Sequence, residues 1–232
     1  EAREIVARGD LGPIRKIRVD YPQGWLATPV EAEGNKQAAW RTDPARTGSG
    51  GCIADIGVHA FNLAEFVAGD RVVELLADLA MVVPGRLRDD DATILARFAG
   101  GARGLIAASQ IATGARNDLR ISLWGEKGGL SWSHEDSQRL YLSWPDRPDQ
   151  IVAAGSLWLG LAARAASRLP AGHPEGFIEA FATIYRDFID TVATGAWSVT
   201  PPLCGIDEGI RSMRFVETAL QSSNGGGQWL PL

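Results

Sequence analysis

"ATILARFAGGARGLIAAS", residues 92–109, is two apolar runs separated by a Gly-Gly pair. Such a pair tolerates the positive backbone angles of a tight turn, so the stretch predicts a β-hairpin. The residues around it repeat the pattern. "LRISLWG" (119–125) and "GLSWSHE" (129–135) flank "EKG" as a second hairpin, "VVELLADLAMVV" (72–83) reads as a strand before the first, and "QRLYLSW" (138–144) closes the run. Consecutive hairpins predict a largely antiparallel sheet over 72–144. Upstream, Ile17, Val19 and Tyr21 alternate with Lys16, Arg18 and Asp20. That period of two belongs to a strand wet on one side.

Helical patterns lie outside this block. A short helical phrase carries Ile5 and Val6 and stops at Gly9 or Gly12. "HPEGFIEAFATIYRDFIDTVATG" (173–195) places Pro174 in a first turn, with Phe177, Phe181, Ile184, Phe188 and Val192 as the inward stripe and Gly195 as the stop. "IDEGIRSMRFVETALQSSNGGG" (206–227) turns Ile206, Ile210, Met213, Val216 and Leu220 inward and ends at Asn224 and Gly225. Helices are thus expected at 174–194 and 206–223. Strands clustered between helices, not alternating with them, predict an α+β fold: an open, largely antiparallel β-sheet with helices packed on one face.

The chain has 232 residues, 45% hydrophobic and 22% charged, with a net charge of -5. That composition suits a globular domain, and the acidic balance argues against a nucleic-acid partner. No apolar run approaches the ~20 residues a membrane helix requires. The two cysteines, Cys52 and Cys204, stand far apart without a C-x-x-C motif and are expected as buried small side chains in a reducing, cytoplasmic setting.

Two segments carry chemistry. Residues 22–51 read as an irregular loop rich in binding groups, including Gln23, Trp25, Lys36, Trp40 and Arg41. Loops of that length are often functional. "GGCIADIGVHAFNLAEFVAGD" (50–70) then begins a helix whose apolar stripe is Ile56, Ala60, Leu63 and Val67, with Phe66 flanking it and Gly69 ending it. Asp55 and His59 stand four residues apart on this helix, and residues at that spacing are neighbours. Asp55 is placed to cap the helix, and Gly57 leaves room for a ligand to approach the backbone. From spacing alone the pair is either a catalytic acid and imidazole or a cap beside a core histidine. With three histidines in the whole chain, no metal site is expected. His134 is expected as an exposed strand residue, and the charges from Arg88 to Asp91 as turn solvation.

"DLGPIRKIRVDYPQGW" (10–25), "WRTDPARTGSGGCIADIGVHAFNLAEFVAG" (40–69), "GEKGGLSW" (125–132), "GHPEGFIEAFATIYRDFIDTV" (172–192) and the terminal "GGQWLPL" occur in this order. Over essentially the whole chain they resemble the C-terminal domain of the glucose-fructose oxidoreductase / inositol dehydrogenase / MocA-type family. The resemblance implies an NAD(P)-dependent oxidoreductase of sugars or polyols, built from an N-terminal Rossmann domain and a C-terminal α+β domain. On that likeness residues 1–232 form the C-terminal substrate-binding and oligomerisation domain, with its site in 22–51 and the helix 55–69. Asp55 and His59 match the family's catalytic pair, and Trp40 and Arg41 its Trp-Arg pair at the nicotinamide end of the cofactor. Gln23, Trp25, Lys36 and His173 are expected to line the polyol site. A homodimer or homotetramer through the sheet face is expected as well.

The departure is also legible. No G-x-G-x-x-G follows a strand, since "GSGGCI" fails at its last position, and no Glu-Lys-Pro is present. A Rossmann domain is therefore absent from these residues, the cofactor (NAD or NADP) would be bound mainly outside them, and the chain alone is expected to be inactive. The competing expectations are a non-catalytic sheet module for self-assembly or passive carbohydrate binding, and a hydrolase. The hydrolase lacks a Gly-x-Ser-x-Gly elbow.

Overall fold

A computed structural model describes residues 1–196 and 203–232. Helix α1 (Ala2–Ala7) leads into β1 (Ile14–Pro22), and β2 (Val72–Ala80) through β8 (Gln150–Ala153) make up the meander with β9 (Leu230–Pro231) added from the C-terminus. The intervening strands are β3 (Asp91–Phe98), β4 (Arg103–Ser109), β5 (Arg120–Gly125), β6 (Gly129–Ser133) and β7 (Arg139–Ser143). They form one 9-stranded sheet in the order β8-β7-β6-β5-β1-β4-β3-β2-β9. β1 lies between β4 and β5, parallel to the first and antiparallel to the second. The other strand pairs are antiparallel. The sheet is open, mixed and largely antiparallel, as the hairpin signals imply; the long-range parallel pair had no local signal.

One face of the sheet holds the core. Ile17, Val19, Leu75, Ile94, Ile106, Ile121 and Leu123 are fully buried there. They meet helix α4 (Val58–Ala68) and helix α7 (Ile206–Asn224), whose Phe61 and Phe215 rings stack 4.2 Å apart. The other face is uncovered. A cross-strand row runs Leu76, Leu95, Leu105, Arg18, Ser122, Ser131, Tyr141, Ile151, apolar at both ends. Leu95, Tyr141 and Ile151 are exposed.

Several expectations change. Helix α6 (Phe177–Thr194) begins after Pro174, capped at Gly176, whose N–H donates to Glu179 Oε2 at 2.8 Å. None of its residues is buried, so its stripe faces solvent and not the core. In α7 the first turns are also outside, with Ile206, Ile210 and Met213 exposed; Val216 packs inward as expected and Leu220 is half-buried, joined by Phe215 and Ala219. Residues 22–51 are not irregular: they contain a 3-10 turn (Val30–Glu33), α2 (Lys36–Thr42) and α3 (Pro44–Thr47). The caps were in the sequence. Asn35 accepts from Gln37 and Ala38 N–H, and Asp43 from Ala45 N–H before Pro44 at the first helical position. Cys52 is buried but Cys204 is exposed. His134 opens a 3-10 turn, half-buried edge-on against Trp132, and is not in a strand.

Ser222 joins α7 to the sheet. Its fully buried hydroxyl accepts Ala77 N–H at 2.9 Å and donates to Gln228 carbonyl oxygen at 2.6 Å. Ser222→Ala leaves both partners unpaired, and urea unfolding is expected to register a loss of about 1–3 kcal/mol.

Candidate active site

The site gathers at the carboxyl ends of β1 and β4, where Pro22 pairs with Ser109. Past these ends the chain stays knitted: Gln23 N–H donates to Ser109 carbonyl, Leu26 N–H to Gln110 carbonyl, and Gln110 N–H to Asp90 carbonyl. Above them, residues Ile53–Gly57 form a π-helical turn that continues as α4. π-turns inserted in helices often mark functional positions.

The cap of this turn is not Asp55, which makes no capping bond there, but Asp89 from the loop before β3. Asp89 Oδ1 accepts Gly51 N–H at 2.6 Å and Oδ2 accepts Ile53 N–H at 2.7 Å, while its carbonyl takes Cys52 N–H at 2.8 Å. Burial raises the Asp89 carboxyl above its ordinary value, against the backbone donors that lower it. Gly51 is required by the close approach, because a Cβ there would stand 2.2 Å from Asp89 carbonyl oxygen. Next to it, buried Asp90 accepts Val82 and Val83 N–H and pairs with buried Arg86. The acidic run is therefore structural, not turn solvation.

Of the expected stripe, Ile56, Ala60 and Val67 are buried and Leu63 is half-buried; Phe61 and Ala64 are buried beside them, and His59 is exposed. The core-histidine alternative is thereby excluded. Gly57 packs against Ile53, whose Cδ1 would lie 2.8 Å from an added Cβ, so it serves the turn's own packing and not a ligand.

With the cap supplied elsewhere, the Asp55 carboxylate is free to face outward. Its Oδ2 accepts Arg41 Nε at 3.0 Å and Gln110 Nε2 at 2.7 Å. Arg41 donates in turn to Gln37 Oε1 at 2.6 Å, and its guanidinium stands 5.7 Å from the Trp25 ring and 5.1 Å from the Trp40 ring. Trp25 Nε1 donates to Gln23 Oε1 at 2.9 Å, and Gln23 Nε2 and Tyr21 Oη both donate to Asn117 Oδ1, at 2.6 and 2.9 Å. The Tyr21 ring then meets His59 edge-on at 6.4 Å. A continuous path therefore runs from Asp55 through Arg41, Trp25, Gln23, Asn117 and Tyr21 to His59. Burial raises the Tyr21 phenol above its ordinary value, and the Asp55 charge adds to this. Tyr21 thus remains a neutral donor at physiological pH.

Of the residues singled out in sequence, the structure brings together Gln23, Trp25, Arg41, Asp55 and His59, with Trp40 exposed beside Arg41. Lys36 opens α2 one turn before Trp40, exposed. His173 sits in the turn before α6 with Nδ1 3.2 Å from Pro170 carbonyl, and no bond or ring contact joins it to the path. Tyr21, Gln110 and Asn117 were missed as site residues. Tyr21 looked like one more inward strand residue; the other two lie in the β4–β5 connection, where only folding brings them to β1. Among the described residues no group of three or more His, Cys, Asp or Glu side chains is placed to hold a metal, and no helix is long and apolar enough to cross a membrane.

An exposed imidazole and an anchored carboxylate thus stand together at the rim of an open α+β sheet. Residues 1–131 match the model of the GFO/IDH/MocA C-terminal domain, and the chain belongs to that family. It is 30% identical over 240 residues to an uncharacterized oxidoreductase, YfiI, of Bacillus subtilis, covering 99% of this chain and 60% of that protein. An inositol dehydrogenase homolog from Azotobacter vinelandii, solved with NAD+, superposes with a TM-score of 0.92 at 30% identity, covering 100% of this chain and 61% of that one. The same homolog solved with NADH and myo-inositol gives a TM-score of 0.88 at 29% identity, with 100% and 60% covered. The chain thus spans about three-fifths of the relatives it matches.

Proposed function

We propose that this chain is the substrate-binding and catalytic half of an NAD(P)-dependent oxidoreductase acting on a sugar or polyol hydroxyl or its carbonyl. The observation that carries the reading is the pairing of an outward Asp55, fixed on one oxygen by Arg41 and Gln110, with an exposed His59 on the same helix. Holding Oδ2 between two donors orients the carboxylate. Oδ1 is left to accept a hydrogen bond from one hydroxyl of a polyol. The His59 imidazole exchanges a proton with the adjacent, reacting hydroxyl as general base or acid. Trp25 offers an indole face to sugar C–H groups, with Gln23 amide and Lys36 ammonium as hydroxyl partners. His173 has no tie to these groups and the mechanism does not use it.

When bound, NAD or NADP supplies the hydride acceptor or donor. The residues here fit only its nicotinamide end: the exposed Trp40 face is available for stacking, while Arg41 is committed to Asp55. No glycine-rich phosphate turn is present in these residues, so the phosphates belong to the upstream portion that relatives carry. The chain alone is accordingly expected to be inactive. Testing a panel of polyols and sugars, myo-inositol included, with the whole protein and either nucleotide measures the reading directly; no reduction of either nucleotide with any member would reject it.

Gln110 is a positioning residue in this scheme. Gln110→Leu removes a charge-assisted bond of about 1.5–3 kcal/mol, so kcat is expected to fall roughly 10- to 100-fold with KM changed far less. A matched change in both constants would mean that Gln110 acts on binding instead.

The open sheet face supports a second, compatible role in self-association as a homodimer or homotetramer. Its apolar row ends are the kind of surface that copies bury. Leu95→Asp, an exposed site whose change spares the core, is expected to reduce the mass of the whole protein in sedimentation; an unaltered mass would move the interface elsewhere.

A further inference from the structure

Helix α6 has the composition of a core helix and the exposure of a surface one. Phe177, Ile178, Phe181, Ile184, Phe188 and Ile189 are between 46 and 78% exposed. The helix is held by its polar side. Arg186 Nη1 donates to Ala165 carbonyl at 3.3 Å and Arg168 Nε to Thr183 Oγ1 at 3.4 Å, both linking α6 to helix α5 (Leu161–Ala166) and the turn after it. Its apolar side is turned outward. An exposed apolar surface of this size marks an interaction site.

We propose that this face is the seat of the upstream portion of the whole protein, an intramolecular domain interface. Two observations favour that occupant over a second copy. First, this chain matches a C-terminal domain and fills 60% of YfiI and 61% of the superposed inositol dehydrogenase homolog, so each relative has a substantial portion that precedes such a domain. Second, the point where that portion would join is fastened beside α6's own support. Glu1 Oε2 accepts Gly160 N–H at 2.7 Å and Glu4 Oε1 accepts Ala162 N–H at 3.3 Å, at the start of α5. A domain tethered there meets α6 at the millimolar effective concentration of a short linker, which free copies at micromolar concentration do not match. The inference rests on family membership and not on the identity of the substrate.

The test places the photo-crosslinker p-benzoylphenylalanine at Ile184 in the whole protein and maps the adduct by mass spectrometry. Ile184 is exposed, so the substitution leaves this domain's packing intact. The expected result is an adduct within one chain to residues upstream of Glu1, its yield unchanged on tenfold dilution and lost in the Phe181→Asp/Phe188→Asp double variant. An adduct between chains that fades on dilution would assign the face to a second copy. An adduct to the groove of about 280 Å³ beside Leu63, Leu140 and Val152 would mean that α6 folds back on its own sheet. No adduct at all would leave the helix bare. Each of these three overturns the proposal, and none depends on turnover, so a wrong polyol assignment would not be mistaken for a wrong interface.

Discussion

In the whole protein, His59→Ala is expected to slow hydride transfer by about 10²- to 10⁴-fold, the usual contribution of a positioned general base, with nucleotide affinity nearly unchanged. The side chain is well suited to a clean test. It is exposed, and its described neighbour is the edge of Tyr21 at 6.4 Å, so truncation opens no cavity and strands no buried donor. Stability should therefore move within about 0.5 kcal/mol, as for surface substitutions in general. Single-turnover rates, a nucleotide titration and a urea midpoint on one preparation separate the three effects. Turnover equal to that of the parent would remove His59 from the mechanism.

Asp89→Ala should produce the largest loss of stability among the site's supports, about 2–5 kcal/mol in urea unfolding. That magnitude reflects the buried Ile53 N–H left without its acceptor at about 1–3 kcal/mol, and the part-buried Gly51 N–H at somewhat less. Asp89→Asn keeps one acceptor and turns an amide donor toward the other N–H, so it should fall between parent and alanine. The pH dependence has a definite sign. Burial raises the folded Asp89 carboxyl above its unfolded value, so its titration contributes stability that is complete below the unfolded value and lost as pH rises through the folded one. The gap between parent and Asp89→Ala should be wider in mild acid than at neutral pH. Because the π-turn carries Asp55, activity of the whole protein should fall together with stability; a stable variant with an intact turn would show that Asp89 is dispensable.

Much of the architecture was legible from local pattern. The alternation in β1, the Gly-Gly hairpin of β3 and β4, and the stops at Gly69 and Gly195, with φ of 63° and 66°, are short-range features that turn chemistry and side-chain period decide. The caps at Asn35 and Asp43 were just as local and were overlooked, which made α2 and α3 look like loop. The candidate site was half legible. Asp55, His59, Trp25 and Arg41 stand in recognisable motifs, but the partners that orient them come from elsewhere in the chain: Gln110 lies 55 residues from Asp55, and Asp89 lies 36 from Ile53.

By itself the sequence determined the element types, the antiparallel meander and the residues able to do acid-base chemistry, because each depends on neighbours within a turn or a strand. Only the tertiary structure decided which way they face. The parallel seating of β1 on β4 brings Gln23 and Gln110 together, and Asp89, by capping the π-turn, frees Asp55 from capping its own helix. His59 lies outside the core while Ala60 beside it is buried, and the outward side of α6 is set by polar bonds to α5 that no periodicity encodes. Periodicity records that a face is apolar; what covers that face depends on contacts distant in sequence.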